Sequence, residues 1–254
     1  MSEHLRLEFD DRLATIVIDR GAKRNALSLD MWRAIPGHVE RVRERGARVL
    51  IVRGGDDFSA GADISEFGTL RSGIDGARRY AEAVHAAGCA LTTLEIPTIA
   101  AITGVCVGGG CEIALACDIR VAAADSRFGI TPANLGIVYH FDSTRRLVEA
   151  VGPAWAKQIL FSGDIFDAAT ALRVGLVNEV HPAAEVRDRA VTLARRIATR
   201  AAVSVRGAKT IVGRIVDGEP GDDPAVTALY DEATASAEYA EGVSAFMSGR
   251  PPRF

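Results

Sequence analysis

The sequence is poor in the features that mark whole classes of protein. Its four cysteines, Cys89, Cys106, Cys111 and Cys117, form no C-x-x-C pair, and the last three share one apolar, glycine-rich stretch. That pattern argues against a disulfide framework and against a zinc site. Aromatic residues are scarce at 6%, so the core must be built from Ala, Val, Ile and Leu. Neither sign of charge dominates: 30 Lys and Arg face 33 Asp and Glu, a net charge of −3. Such a balance leaves no uniform basic field for nucleic acid or an anionic membrane. The longest nearly uncharged stretch, Ile96 to Cys117, is interrupted by Pro97, four glycines and Glu112. It reads as a buried strand entering a buried helix, with no membrane insertion expected. Residues 1–10 alternate and carry Glu3, Arg6 and Glu8, unlike a signal peptide, so a cytoplasmic location is the default expectation.

Three common catalytic signatures are missing as well. Gly108-Gly109-Gly110 has Ile113 where a dinucleotide loop needs glycine, and no acid stands about 20 residues downstream to hold a ribose. There is no G-x-x-x-x-G-K-[ST] and no G-x-S-x-G. His4, His38, His85, His140 and His181 show no metal-ligand spacing, so no metal is expected.

What is present is a soluble-type composition, 48% apolar and 25% charged over 254 residues, enough for one large core with an appendage. Leu5, Leu7 and Phe9 alternate with polar residues, and Leu13 to Ile18 follows a turn at Asp10-Asp11; this predicts a hairpin. Ser28 caps a helical pattern through Met31, Ile35 and Val42, which Pro36-Gly37 should kink or end early. Val49 to Val52 reads as a buried strand, followed by a turn at Phe58 to Asp63 and an Ala-rich helix over roughly Gly76 to Leu94. The plan then repeats: a strand over Thr98 to Thr103, a turn at Gly108-Gly109-Gly110, and a helix opening near Glu112. Ala62 and Gly109 stand 47 positions apart, a spacing typical of stacked repeats. Ile119 to Ala122 and Arg127 to Ile130 are further short strands. Beyond Pro182 the texture is helical, with an apolar stripe at Val186, Ala190, Leu193 and Ile197.

Chemistry concentrates at the two glycine-rich turns. Each ends a strand and opens a helix, where first-turn N–H groups have no intrahelical partner and the helix dipole adds positive potential. Brought face to face, two such turns can clasp one oxygen as negative charge grows on it. The same glycines also suit tight turns and close packing, so turn geometry alone leaves both readings open. Glu112 is the only charge between Glu95 and Asp118, on the first turn of a helix that must be buried. A buried carboxylate is costly unless paired or used. Desolvation should raise its pKa while the helix dipole lowers it, which places an acid–base group near neutrality.

These residues carry a family resemblance. Phe58 to Ile64, Gly104 to Glu112 and Asp118-Ile119 resemble the crotonase (enoyl-CoA hydratase/isomerase) superfamily. The likeness begins at Arg20 to Leu27, continues through Phe128-Gly129 and Ala171 to Val177, and ends at Glu241-Gly242 to Phe254. It implies an α/β fold, a spiral of repeated ββα units over residues 1–195. A C-terminal helical region, 196–254, would then assemble trimers or dimers of trimers. It implies an acyl-CoA substrate, with coenzyme A entering as part of that substrate and no separate cofactor. The N–H groups of Ala62 and Gly109 would hold the thioester oxygen as an enolate forms. Lys23, Arg24 and Ala26 would lie along the CoA, Ala60, Asp63 and Ile64 near its adenine, and Phe246 and Arg250 toward the nucleotide end, in the same or a neighbouring subunit. Glu112 falls on the first catalytic glutamate of the hydratases.

The sequence departs from that pattern in one segment. Hydratases of the family carry a second glutamate in a run like F-G-x-P-E, whereas Phe128 to Gly136 here reads FGITPANLG, and no carboxylate occurs between Asp125 and Asp142. One missing carboxylate forfeits much of the ~10²–10⁴-fold that such a group supplies, which argues against ordinary hydration. Thr131 to Gly136 and Tyr139 resemble the methylmalonyl-CoA decarboxylase branch, in which a tyrosine borders the acyl carboxylate. That branch has histidine where this chain has Ala62. Tyr139, with His140 or Asp142, could instead supply a new acid–base group or simply bond loop backbone. Isomerisation, decarboxylation, a less familiar lyase or hydrolase step and silent acyl-CoA binding all remain open at this point.

Overall fold

A computed structural model describes residues 2–221 and 223–254. The chain begins with the expected hairpin, β1 (Leu5–Asp10) against β2 (Leu13–Ile18), with Asp11 at φ 52° closing the turn. Helix α1 (Leu29–Glu44) starts at Ser28, whose hydroxyl accepts from the Met31 N–H at 3.3 Å. It runs unbroken through Pro36, contrary to the sequence expectation. Proline removes one N–H donor from the ladder, but Met31, Trp32, Ile35, Val39 and Val42 are all buried on one face and hold both halves of the helix against the core.

Strand β3 (Val49–Arg53) follows, then the short α2 (Phe67–Leu70), the long α3 (Gly73–Thr92) and β4 (Thr98–Ile102). The next repeat adds β5 (Val105–Val107), α4 (Gly109–Ala116), β6 (Ile119–Ala123) and β7 (Arg127–Gly129). After α5 (Phe141–Ser162), β8 (Phe166–Asp167), α6 (Ala168–Arg173) and β9 (Glu179–His181) come the C-terminal helices. These are α7 (Val186–Ala198), α8 (Ala202–Val216), α9 (Pro224–Ala235) and α10 (Ala237–Met247).

The strands form two layers. Six make one sheet in the order β1-β2-β3-β4-β6-β9, parallel from β2 onward, and three make a smaller sheet, β5-β7-β8. Each turn of the spiral adds a strand to the large sheet and a stretch to the second layer. Both faces of the large sheet are covered, as parallel sheets require. Leu50, Val52, Ala100 and Ile102 face the core under α1, α3 and α4, while Val49, Ile51, Ile99 and Ala101 face α7. Period-two alternation thus sorts one uninterrupted apolar strand into two cores. Helix α7 buries Val186, Ala190, Ala194 and Ala198, with Leu193 and Ile197 half-buried beside them. Its seam is narrower than the expected stripe because alanines let the helix sit close on the sheet. The helix is continuous across residues 195 and 196. Beyond it, Lys209 pairs with Asp118 at 2.8 Å and Glu238 accepts from the Val203 N–H at 2.9 Å, while α8 buries no residue. Among the described residues no helix is long and apolar enough to cross a membrane, and no cluster of His, Cys, Asp and Glu forms a metal site. All four cysteines are free thiols.

Candidate active site

The second layer brings the two turns together. Leu27 donates to Gly61 O at 2.7 Å and accepts from Asp63 N–H at 2.9 Å, so the Ala62 N–H between them points away from that pairing. Ser59 pairs in parallel with Cys106, and Cys106 pairs in turn with Phe128, so three segments lie side by side. The Gly108 N–H closes this ladder on Gly129 O at 2.8 Å. Among the described residues the N–H groups of Ala62 and Gly109 donate to no protein acceptor. Close approach demands glycine here. Gly61 sits at φ +97°, and a β-carbon on it would stand 2.7 Å from Val107 O and 3.0 Å from Gly109 N. A β-carbon on Gly110 would stand 2.4 Å from Ser59 O.

An open pocket with about 720 Å³ of free space lies against these turns. It is lined by Ala60 to Ala62, Val107 to Gly109 and Glu112, by Phe67, Arg71 and Tyr80, and by Thr131, Pro132, Leu135 and Ile137 to His140. Glu112, in the first turn of α4, is half-buried. Removal from water pushes its carboxyl up to about 7, against a hydrogen bond from Ser143 and the charges of Arg146 and Arg71. Among the described residues lining the pocket it is the only carboxylate. The departing segment contributes Thr131 and Pro132 to the lining and brings no carboxylate into it. A tighter recess behind Glu112 is lined by Trp32, His85, Asp142, Ser143 and Arg146.

Tyr139 lines the pocket with its hydroxyl buried and without a hydrogen-bond partner. Burial, reinforced by the nearby Glu112 charge, raises the phenol well above its ordinary value, so it is a donor at neutral pH. His140 reaches the same pocket from the N-cap of α5; burial, then Arg71 and His85, lower its pKa while Asp142 opposes them. Asp142 lies outside the main pocket, paired through Oδ2 with His85 Nδ1 at 2.9 Å.

The residues expected along the CoA divide. Ala60 and Ile64 line the pocket, Ile64 with more than half its surface open. Asp63 is buried, accepting from Arg20 at 2.7 Å and from the Ser65 hydroxyl at 2.6 Å. Burial pushes its carboxyl up, but Ser65 and Arg20 outweigh that and hold it below the usual carboxylate range. Lys23 stands 3.8 Å from Asp63, and Arg24 pairs with Asp57 through two nitrogens at 2.9 and 3.3 Å. Ala26 is buried beneath them. Phe246, 86% exposed, and Arg250, paired with Glu241 at 2.7 Å, sit at the end of α10 and do not line the pocket of their own chain. Sequence reading did not single out Arg71, Tyr80, Ser143 or Arg146. Ser143 and Arg146 carry one faint signal, an i,i+3 spacing on the helix that follows Tyr139; Arg71 carries none.

Comparison with known proteins agrees with this architecture. The family profile described as enoyl-CoA hydratase/isomerase matches residues 8–254. A crotonyl-CoA hydratase of Syntrophomonas wolfei is 34% identical over 256 residues, covering 99% of this chain and 98% of that protein. The rat mitochondrial methylglutaconyl-CoA hydratase is 32% identical over 257 residues, covering 98% of this chain and 81% of that protein. The crystal structure of an enoyl-CoA hydratase/isomerase family protein from Hyphomonas neptunium superposes with a TM-score of 0.96 at 39% identity, over 99% of this chain and 97% of that one. The spiral, its paired turns and this full-length match place the chain in the enoyl-CoA hydratase/isomerase family, within the crotonase superfamily.

Proposed function

We propose that the protein is an enzyme acting on an acyl-CoA thioester through an enolate. The thioester oxygen accepts from the N–H groups of Ala62 and Gly109, and Glu112 moves the proton at the acyl chain. The observation that carries this reading is the conjunction of two unengaged N–H groups with one carboxylate, held near neutrality, in the same pocket. The relatives named as hydratases of CoA esters support the substrate class.

Within that class the pocket favours a 1,3-proton shift over hydration. The Glu112 carboxylate takes a proton from the carbon between the thioester carbonyl and a β,γ double bond. The C–H electron pair moves into a dienolate whose oxygen the two N–H groups stabilise. The protonated Glu112 returns that proton to the γ-carbon, leaving the double bond conjugated with the carbonyl. Proton donor and acceptor are one group, so no second carboxylate is needed. A preorganised donor of this kind lowers a barrier by about 2.7–4 kcal/mol. Purified protein should convert a 3-enoyl-CoA to its 2-enoyl isomer, read as a gain of conjugated absorbance, faster than it hydrates crotonyl-CoA. Rapid hydration of crotonyl-CoA without isomerisation would overturn this preference.

The unpartnered Tyr139 hydroxyl favours one second reading, decarboxylation of a malonyl-type ester, where loss of CO₂ itself makes the enolate and needs no base. Tyr139→Phe should then cut CO₂ release by about tenfold or more, the weight of one hydrogen bond to a charged group; full retention removes that reading. For coenzyme A itself we propose the path past Lys23, Arg24, Ala26, Ala60, Asp63 and Ile64, with Asp63 acting by holding the turn rather than by touching the ligand. Homotrimers or dimers of trimers are proposed as the assembly, with Phe246 and Arg250 meeting the nucleotide end of CoA within or across subunits; light scattering tests it.

A further inference from the structure

Arg71 is the arginine that lines the main pocket. It closes α2, half-buried, with its guanidinium 4.7 Å from the Phe67 ring centroid and 6.0 Å from that of Tyr80. A cation–π contact of this kind consumes none of the guanidinium's N–H donors. Among the described residues no carboxylate lies within 4.0 Å of it, and it makes no hydrogen bond to the protein. Four other cations of this region have carboxylate partners. Arg20 and Lys23 sit on Asp63, Arg24 on Asp57, and Arg78 faces Asp75 in solvent. The geometry of a guanidinium suits bidentate pairing with a carboxylate.

The position of Arg71 bears on which anion it meets. Its charge is felt at Glu112, His140 and Tyr80, all of which line the same pocket. Glu112 marks the reacting carbon, and the phosphates of CoA lie the whole pantetheine arm away from that carbon. Arg71 and Glu112 line one pocket, so an acyl chain held at Glu112 lies beside Arg71; the CoA phosphates are the competing anion, and esters that share the same CoA but differ in the acyl carboxylate separate the two. Resting on the acyl-CoA reading above, but on neither of its reactions, we infer that the substrate's acyl chain carries a free carboxylate that pairs with Arg71. Arg71 is then the specificity-determining residue for a dicarboxylic acid mono-CoA ester.

Saturated esters test this without requiring turnover. Calorimetric titration of the wild-type protein with succinyl-CoA, glutaryl-CoA and butyryl-CoA gives three dissociation constants. At least one dicarboxylic ester should bind tighter than butyryl-CoA by about 10- to 100-fold, the range for hydrogen bonds to a charged group. In Arg71→Gln that ratio should collapse toward one, in Arg71→Lys part of it should survive, and in Arg78→Gln it should be unchanged. Circular dichroism checks that each variant is folded, and the lysine variant keeps the test valid if glutamine disturbs the aromatic packing. Equal binding of all three esters by the wild type overturns the inference and leaves the acyl-CoA reading standing. A preference that persists in both Arg71 variants also overturns it, because another group then holds the carboxylate. Failure of every ester to bind sinks the acyl-CoA reading and this inference with it.

Discussion

Two carboxylates stand close behind the two glycine-containing turns and end in opposite states. Asp63, one residue after Ala62, is the N-cap of the short 3-10 turn Ile64–Glu66, whereas Glu112, three residues after Gly109, sits in the first turn of α4. Asp63 caps its own helix through Ser65 and pairs with Arg20, which crosses from the preceding repeat, and it stays ionised below the usual range. Glu112 has Ser143 and, farther off, Arg146 and Arg71, and desolvation wins, lifting it to about 7. The turns are alike; the place on the helix and the partner both differ. Where a cation comes within hydrogen-bond reach, the carboxylate becomes structure. Where none does, it stays free to exchange a proton.

The strongest way to sharpen this contrast is Glu112→Gln. Turnover should fall by about 10²–10⁴-fold, the share of a general acid–base, while the fold persists. The wild-type rate should rise with pH through about 7 and then level, as the carboxylate form fills. Linkage gives an opposite stability effect. Folding raises the Glu112 pKa above its unfolded value of about 4.3, so the native state holds extra proton between those values and stability falls as pH rises through that window. The glutamine variant should lack that fall, and its thermal midpoint at pH 8 should exceed that of the wild type.

A second variant attacks the setting of the turns. Gly110→Ala drives a β-carbon to within 2.4 Å of Ser59 O, part of the ladder that holds both turns in place. A loss of about 1–3 kcal/mol in denaturant unfolding is expected from such overpacking, together with a loss of turnover because the two N–H groups separate. Unchanged activity would mean that the turns need not touch.

The smallest effect belongs to the structural carboxylate. Asp63→Asn should cost on the order of 1–3 kcal/mol, since charge-assisted bonds to Arg20 and Ser65 weaken. Its folded pKa is depressed, so its stabilisation is present above the unfolded value of about 3.9 and is lost as pH falls through the folded value. The wild-type and variant stability curves should therefore converge in acid. A turnover loss matching that of Glu112→Gln, in a folded variant, would erase the distinction between the two sites.

Much of this was legible in the chain. Alternation predicted β1 and β2, the uninterrupted VLIV predicted a strand buried on both faces, and the isolation of Glu112 in an apolar run marked a carboxylate with a purpose. Period, turn chemistry and the cost of burial act locally, so they leave their mark in local sequence. Pro36 misled because the local rule ignores the buried face that holds α1 straight. Arg71, Ser143 and Arg146 left almost no signal, since they reach the pocket from segments far from Glu112 in the chain.

The sequence by itself determined the repeat, the two glycine turns and the choice of Glu112 over its neighbours, because these rest on short-range geometry and on the energy of burying one charge. Only the tertiary structure decided which charges found partners. It seated Arg20 on Asp63, set Arg71 against Phe67 with no ion pair among the described residues, and brought the two glycine turns to one pocket. Electrostatic pairing depends on a few ångströms between residues distant in the chain, and no spacing along the sequence encodes that distance.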